Sequence, residues 1–269
     1  MGPGETAAVA VLLSDAARAS GAWPPREWAA WQSAVALAAH WVAEGAAAAG
    51  YTPPFWSATV LRARRHGADL AVLTVRTFLP YPYAAGQHAT VETRHHRDLW
   101  GPCWLAGAPR TDNRLELHVR AHDSDAVSRA LVHRVQPGEV IRLGPARGGL
   151  VVPAEAQGVL LVAEDTGAAA VRAVREELRR AGDRRPTSTL YWVPPGARPY
   201  EEAVAGLDDV TVVGSAVALA QALDGRPELR DWAAVVAGTP TGVAAAATAV
   251  AYAGVPAART SATQIGPGD

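Results

Sequence analysis

The sequence predicts a two-domain protein of the α+β / α/β class, in which a helical N-terminal segment, a small antiparallel β-barrel and a parallel α/β domain follow one another. Three observations predict this order. Residues 1–50 carry apolar side chains at helical spacing, residues 51–153 form short strands separated by turn signals, and residues 154–269 alternate continuous apolar strands with helices. The changes of hydrophobic period place the boundaries between the three parts.

The N-terminal segment is predicted to be helical from Ser14 to about Gly50. Pro24 and Pro25 stand where the main helix begins, and the segment ends in glycine. Its apolar positions recur every three or four residues and form a partly aromatic stripe: Trp28, Trp31, Val35, Ala38 and Val42. We expect this stripe to pack against the next domain.

The second part reads as the strands of a small antiparallel barrel. The predicted strands are SATVLRARR, LAVLTVRT, QHATVET, RLELHVRA and EVIRLGPA, and proline and glycine turns separate them. A short helix is predicted at VSRALVHRV, directly after Asp125. We expect His95, His96 and Arg97 to form a solvated loop.

The third part reads as a parallel sheet with crossover helices. The strand VLLVAE is followed by a glycine turn and the helix AAAVRAVREELRRAG, and STLYWVP, VTVVG and WAAVVAG are further buried strands. In such sheets a ligand binds beyond the carboxyl ends of the strands. Those ends carry the segments AEDTG, PPGAR and AGTPTG.

Composition excludes several classes of function. The 269 residues are 49% hydrophobic with a net charge of −1, which is typical of a soluble globular protein without a basic surface for nucleic acid or an apolar span for a membrane. All 25 basic residues are arginine, which excludes a lysine Schiff base. One cysteine and no recognisable signal peptide predict a cytoplasmic location. His40 and His66 have no partner at metal-ligand spacing, so no metal site is predicted.

Segments between Trp56 and Pro256 follow one another in an order and spacing that resembles the ferredoxin–NADP reductase superfamily. They are PYPYAAGQHATVE, LELHVRA, VSRALV, PGEVIRLGP, RGG and LLVAEDTGAAAVRAVREEL. The resemblance implies a six-stranded barrel of the FAD-binding type followed by an α/β domain of the NAD(P)-binding type. It is strongest to the reductase part of actinobacterial flavohaemoglobin-like proteins, where the helix before the barrel ends a globin. The rest of a globin is missing here, so no haem is expected.

The family's flavin motif is replaced in this chain. Relatives carry Arg-Pro-Tyr-Ser where this sequence has Gly101, Pro102, Cys103 and Trp104. In the family the arginine pairs with the flavin pyrophosphate, the tyrosine packs on the isoalloxazine ring, and the serine bonds near the reactive nitrogen. A glycine of the relatives is Asp125 here, and its carboxylate would repel a diphosphate. If a flavin binds nevertheless, its predicted contacts are Val127, Ser128 and Gly148.

The family's nicotinamide turn is also replaced. Its Gly-Gly-Thr-Gly sequence has become Glu164, Asp165, Thr166 and Gly167. The glycines of relatives allow a dinucleotide to approach a helix N-terminus, whereas two carboxylates satisfy the helix dipole from within the chain. We therefore expect no cofactor, with FAD and NAD(P)H as the alternative.

These replacements predict a cleft between the two domains that serves a small-molecule substrate. The predicted catalytic residues are Cys103, His88 and Asp165, and the predicted substrate contacts are Trp104, Arg120, His118, Glu164 and Thr166. The first expectation is a cofactor-independent enzyme that acts on a small, partly aromatic molecule, as in specialised metabolism. The alternatives are an FAD-dependent NAD(P)H oxidoreductase with an atypical flavin site and a non-catalytic binding protein. The sequence predicts no nucleic-acid or membrane partner and no particular oligomeric state.

Each predicted site residue also has a structural interpretation. Cys103 fits a small buried apolar side chain, and Trp104 fits a filler of the volume that a flavin would take. His118 fits a hydrogen-bonded core histidine, and Arg120 fits a salt bridge. Glu164 and Asp165 fit the N-terminal cap of a helix; these alternatives stay open at the level of sequence.

Overall fold

The computed structural model describes residues 12–21, 23–49, 53–193, 195, 199–207 and 209–266. The chain forms two compact units, Met1–Pro54 and Phe55–Asp269. No helix in these described ranges is long and apolar enough to cross a membrane. The cytoplasmic location stays a prediction.

The first unit is helical. Residues 12–19 are helical, and helix α1 spans Pro25–Ala49, with proline at its first position. Part of the aromatic stripe packs within this unit, because the ring of Trp23 lies 6.4 Å from that of Trp28 and 5.8 Å from that of Trp31. The side chain of Val42 lies outside the described residues. Packing of the stripe on the barrel stays a prediction.

The second unit opens with a closed barrel of six antiparallel strands. The strands pair in the order β1-β2-β5-β4-β3-β6, and helix α2 lies between β5 and β6 in the chain. Their bounds are β1 Trp56–His66, β2 Leu70–Thr77, β3 His88–Thr93, β4 His96–Ala106, β5 Arg114–Arg120, α2 Ala126–His133 and β6 Val140–Leu143. Alternating side chains fill the interior with an apolar cluster.

A five-stranded parallel sheet follows in the order β11-β10-β7-β8-β9. Its elements are β7 Val159–Glu164, α3 Ala168–Arg180, β8 Thr187–Trp192, α4 Glu201–Val204, β9 Val210–Val213, α5 Ala216–Leu223, β10 Ala233–Gly238, α6 Pro240–Tyr252 and β11 Thr260–Gln264. After β7 the chain adds β8 and β9 on one side of β7, and it then crosses over to add β10 and β11 on the other side. The switch point, where open α/β sheets bind ligands, therefore lies between the ends of β7 and β10.

The predicted fold class is confirmed: a six-stranded antiparallel barrel precedes a parallel α/β sheet, with a helix at the N-terminal side. One local prediction is wrong. His96 and Arg97 belong to β4, because His96 already pairs with Thr93 across a two-residue turn. Only His95 of the predicted loop lies in that turn.

Candidate active-site cleft

A narrow cleft lies where the barrel faces the switch point of the sheet. We call it the inner cleft. Its barrel side is formed by Pro102, Trp104, His118, Arg120, His122, Asp125 and Ser128, and its sheet side by Asp165, Thr166, Gly238, Thr239 and Ile265. Six of the predicted site residues therefore line one cleft: Trp104, His118, Arg120, Ser128, Asp165 and Thr166.

Trp104 forms the apolar wall of the inner cleft. It lies in the middle of the barrel face, because β4 pairs it with His88 on β3 and with His118 on β5. Its side chain has no exposed surface and packs in a cluster that contains Leu70 of the barrel and Ala163 of the sheet. The indole thus fills volume between the two layers, as its structural interpretation predicts.

Cys103 points away from the inner cleft. Successive side chains of a strand face opposite sides, so Cys103 enters the barrel interior where Trp104 faces the sheet. It is fully buried in the barrel core. Burial, and to a lesser extent the charge of Asp125, raises the pKa of the thiol far above its usual value. The structure therefore does not bring Cys103 to the predicted catalytic centre and favours its interpretation as a buried apolar residue.

His88 lies on the neighbouring strand and outside the lining of the inner cleft. Its ring stands edge-on to Trp104 at 5.9 Å between centroids. A Cβ added at Gly148 would lie 3.2 Å from the His88 ring and 2.9 Å from the Thr263 hydroxyl. The packing around Gly148 is therefore too tight for a larger residue. His88 and Gly148 therefore pack behind Trp104 and do not line the inner cleft.

Arg120 and Asp165 join the barrel to the sheet. Arg120 Nε and Nη2 donate to the two carboxylate oxygens of Asp165 at 2.5 Å each, and Nη1 donates to Asp69 at 2.5 Å. Burial opposes the charge of Arg120, but the bonds to both carboxylates outweigh it and raise the pKa of the guanidinium. Asp165 is 4% exposed and has a φ of +49°, a left-handed conformation in which relatives carry glycine. A bidentate ion pair thus closes one side of the cleft.

Glu164 lies over the start of helix α6. Its carboxylate accepts hydrogen bonds from the backbone N–H and the hydroxyl of Thr239, both at 2.7 Å. A Cβ added at Gly242 would lie 2.1 Å from a carboxylate oxygen of Glu164, so this side chain fills the space over the helix N-terminus. The interpretation of Glu164 and Asp165 as caps of the helix after β7 is wrong, because neither side chain caps α3.

The N-terminus of helix α2 is also satisfied from within the chain. Asp125 accepts hydrogen bonds from the backbone N–H groups of Val127 and Ser128. The Ser128 hydroxyl donates to the Asp125 carbonyl and accepts from the backbone N–H of His122. The side chain of Val127 is buried in the barrel core. A Cβ added at Gly101 would lie 3.0 Å from Val127 Cβ, so a larger side chain at this position would require Val127 to shift by a few tenths of an ångström.

Two residues of the site were missed in the sequence. The imidazole of His118 has no exposed surface, and its two nitrogens lie 2.9 Å from Glu116 Oε1 and 2.8 Å from Tyr200 Oη. The alternation of LELHVRA places Glu116, His118 and Arg120 on one strand face, and that signal could have identified Glu116. Tyr200 carries no such signal, because its position depends on how the segment before α4 folds onto the barrel.

No group of three or more His, Cys, Asp or Glu side chains that could hold a metal ion occurs in the described part of the chain.

Known proteins share this fold. No protein-family model matches the chain. A reductase of CDP-6-deoxy-L-threo-D-glycero-4-hexulose-3-dehydrase from Yersinia pestis is 26% identical over 140 residues, which are 51% of this chain and 41% of that protein. The chain thus spans less than half of this relative's length.

Solved structures resemble a larger part of this chain than the Yersinia pestis reductase does. The ferredoxin reductase of carbazole 1,9a-dioxygenase has a TM-score of 0.68 at 18% identity and matches 78% of this chain and 69% of its own. Flavohemoglobin from Malassezia yamatoensis, solved with bound FAD and heme, has a TM-score of 0.67 at 14% identity and matches 99% of this chain and 76% of its own. The chain therefore has the two-domain fold of ferredoxin reductase-type proteins, which confirms the predicted resemblance at the level of the fold.

The expectation that the chain binds no cofactor is contradicted by these neighbours. They are FAD- and NAD(P)-binding reductases, and one ferredoxin NADP⁺ reductase among them was solved with both FAD and NADP. The expectation rested on the side chains at residues 101–104, whereas the neighbours share the fold of both domains. The comparisons point to flavin rather than to no cofactor.

The lining of the inner cleft combines apolar and polar side chains. It is apolar where Pro102, Trp104 and Ile265 line it and polar where Arg120 and Thr166 do. The free room inside the inner cleft is only about 30 Å³, whereas ligand pockets enclose roughly 300–1,000 Å³, so the cleft would have to open to admit a flavin ring. Arg120 contributes a cationic side chain to this lining.

Proposed function

We propose that the chain is a flavin-dependent oxidoreductase module of the ferredoxin reductase type, with FAD in the inner cleft and NAD(P)H as the electron donor. The observation that carries the proposal is the position of the inner cleft, between the barrel face around Trp104 and the switch point of the sheet at Asp165. The fold of the FAD- and NAD(P)-binding neighbours supports it.

The residues of the inner cleft have separate tasks in this proposal. Pro102 and Trp104 line the apolar side of the inner cleft and would keep water away from a bound ring. Arg120 is the cation that would face the phosphates, and Asp165 holds its guanidinium at the cleft. When bound, the flavin supplies the capacity to accept a hydride and to release electrons singly or in pairs.

In this proposal Glu164 controls the access of NAD(P)H, the electron donor, to the switch point of the sheet. Its carboxylate lies over the N-terminus of α6, beside the ends of β7 and β10. A nicotinamide dinucleotide that approaches the switch point meets this negative charge, so we expect weak binding of the donor at rest. Displacement of Glu164 from Thr239 would open the approach.

This proposal replaces the cofactor-independent reaction on a small aromatic molecule, which no comparison supports. A role in specialised metabolism likewise has no support, and the acceptor of the electrons is not specified by the cleft. A non-catalytic binding protein would use the same cleft. It would differ from an oxidoreductase because NAD(P)H would not reduce its bound ligand.

Titration of the purified chain with FAD, followed by flavin fluorescence, tests the proposal. We expect saturable binding, and we expect Arg120→Ala to weaken it about tenfold or more, since a charge-assisted hydrogen bond contributes about 1.5–3 kcal/mol. Arg114→Ala is the matched control, because Arg114 begins the same strand but is exposed outside the inner cleft. Equal affinity for all three proteins would argue against this placement of the flavin phosphates, and no binding by any of them would refute the proposal.

A further inference from the structure

A second cleft, which we call the outer cleft, lies where the barrel meets helix α3. It is lined by Thr74, Ala106, Arg110, Arg114, Glu116 and Arg172, among others. Its free room is about 230 Å³, whereas that of the inner cleft is about 30 Å³. Since one water molecule takes about 30 Å³ of the liquid, the outer cleft has room for a small molecule without any movement of the chain.

The two carboxylates in the lining of the outer cleft are held by partners within the chain. Glu116 accepts a hydrogen bond from Arg172 of helix α3. Glu176 accepts from the backbone N–H of Ala108 at 2.9 Å and from the guanidinium of Arg180. Their negative charges are therefore compensated before any ligand arrives.

Two arginines on this face of the barrel lie directly opposite each other. The pairing of β2 with β5 places Arg76 against Arg114. The next pair along the strands is hydrogen-bonded, because the Thr77 N–H donates to the Asn113 carbonyl at 3.0 Å. Arg76 and Arg114 therefore occupy a non-hydrogen-bonded pair, in which the Cα atoms are about 4.5 Å apart and the side chains are closest. Like charges in this position destabilise a sheet.

The carboxylate near this pair is already used. Arg114 Nε lies 4.0 Å from Asp112 Oδ2. Arg110 holds both oxygens of the same carboxylate, with Nε 3.0 Å from Oδ1 and Nη2 2.7 Å from Oδ2. Within the described residues, no carboxylate forms an ion pair with Arg76. The positive charge of Arg76 and Arg114 is thus poorly compensated.

A third arginine and a hydroxyl belong to the same face. Arg62 on β1 lies opposite Thr74 on β2, and Thr74 precedes Arg76 by two residues, so all three side chains lie on one side of the strands. In the part of the chain that the structure describes, neither the Arg62 guanidinium nor the Thr74 hydroxyl has a hydrogen-bond partner. Cations and an unused hydroxyl therefore surround the free room of the outer cleft.

We propose that the outer cleft binds a small oxyanion, the carboxylate or phosphate monoester group of a small molecule, between Arg76 and Arg114. A guanidinium presents its N–H donors in a planar fork that matches both kinds of oxyanion. An anion between the two arginines replaces their repulsion with two charge-assisted contacts. The Thr74 hydroxyl is a further donor beside it.

The size of the outer cleft limits the ligand. Pockets for drug-sized ligands enclose roughly 300–1,000 Å³, and the free room here is about 230 Å³. The ligand is therefore smaller than a nucleotide. This site is separate from the position proposed for the flavin and does not rest on the proposed function.

Calorimetric titration of the full chain with inorganic phosphate, and separately with malonate, tests the site. Both titrations use chloride buffer of matched ionic strength, because salt screens exposed charges. We expect saturable binding of one anion per chain. Tighter binding of phosphate would support the site and identify phosphate monoesters as its ligands, and tighter binding of malonate would support it and identify carboxylates. No saturable binding of either anion would overturn the proposal.

Variants locate the binding. We expect Arg76→Ala and Arg114→Ala each to weaken it about tenfold, since each removes one of the two charge-assisted contacts. Arg97→Ala is the matched control, because Arg97 is an exposed arginine of β4 outside the outer cleft, and it should leave the affinity unchanged. Equal affinity in all four proteins would show that any bound anion is a nonspecific counter-ion and would overturn the site.

Thermal unfolding gives a second readout. Phosphate stabilises proteins in general because it is excluded from their surface, and that effect is the same in every variant. Binding adds a further rise in unfolding temperature in wild type and Arg97→Ala, and a smaller one in Arg114→Ala. An equal rise in all three would contradict the site.

The FAD titration is independent of this test. A flavin dinucleotide does not fit in the free room of the outer cleft, so Arg114→Ala serves as a control there and as a site variant here. A chain that binds no FAD would refute the proposed function and leave the outer cleft's result standing.

Discussion

Two consecutive residues of strand β4, Cys103 and Trp104, lie in different environments. Cys103 and Trp104 are adjacent in the sequence, but the pleat of the strand sends the thiol into the barrel core and the indole between barrel and sheet. Adjacent positions in a motif therefore do not form one site here. The residue that shapes the inner cleft is Trp104.

Replacement of Trp104 tests this assignment. We expect Trp104→Ala to lower the free energy of unfolding by about 3–5 kcal/mol, because a large buried side chain leaves a cavity. Trp100→Ala, on the exposed part of the same strand, should change it by no more than about 0.5 kcal/mol. Chemical denaturation measures both. A loss from Trp104→Ala no larger than that from Trp100→Ala would show that the indole does not hold the two layers together.

The ionisation of Glu116 predicts a particular dependence of stability on pH. Its pKa is lowered from the ordinary value of 4.5 to about 2, against burial, by the bond from His118 and the charge of Arg172. A carboxyl with a lowered folded pKa stabilises the native state above its unfolded pKa, and that contribution is lost as the pH falls through the folded pKa. The window therefore runs from about pH 4.5 down to about pH 2.

The measurement is the free energy of unfolding of wild type and variants at a series of pH values in that window. We expect Glu116→Gln to flatten the decline that the wild type shows between these pH values. The exposed Glu177, on helix α3, provides the control Glu177→Gln. An equally steep decline in wild type and Glu116→Gln would contradict the assigned interactions of Glu116.

At the scale of elements, the turn after β7 determines access to the sheet. In this turn Glu164 lies against Thr239, and Asp165, in a left-handed conformation, lies against Arg120. Glu164 accepts from the Thr239 N–H that a ligand phosphate would otherwise meet, and Asp165 holds the Arg120 guanidinium at the cleft. The turn therefore combines a clamp between barrel and sheet with a negative charge at the helix N-terminus.

Removal of that charge should strengthen binding of the donor. We expect Glu164→Ala to lower the dissociation constant for NADPH about tenfold, since the N–H groups at the start of α6 would be freed for phosphate. Calorimetric titration at low ionic strength measures it, with Glu177→Ala as the control for net charge. Unchanged or weaker binding by Glu164→Ala would show that the dinucleotide does not approach over α6.

At the scale of the whole molecule, hydrophobic period predicted that a barrel precedes a parallel sheet, whereas the six-strand count of the barrel came from the family resemblance. The alternating strands of the barrel and the continuous apolar strands of the sheet are local signals, and both parts follow them. The ligand position at the strand ends also follows from topology, which placed Asp165 and Thr166 at the cleft.

The side-chain partners could not be predicted in the same way. Arg120 meets Asp165, and His118 meets Tyr200, across long separations in sequence, so these pairs exist only once the barrel packs on the sheet. The prediction of no cofactor failed for a related reason. It relied on the side chains at Gly101 and Trp104 and gave too little weight to the two-domain fold, which FAD- and NAD(P)-binding reductases share.

Reduction of bound flavin by NAD(P)H tests the central claim most directly. The purified chain is reconstituted with FAD, freed of excess by gel filtration and mixed with NADPH or NADH without oxygen while visible absorbance is recorded. The account predicts that the protein keeps flavin absorbance after filtration and that this absorbance bleaches with either donor, faster in Glu164→Ala. A chain that emerges colourless, or whose bound flavin is left oxidised by both donors, would contradict it.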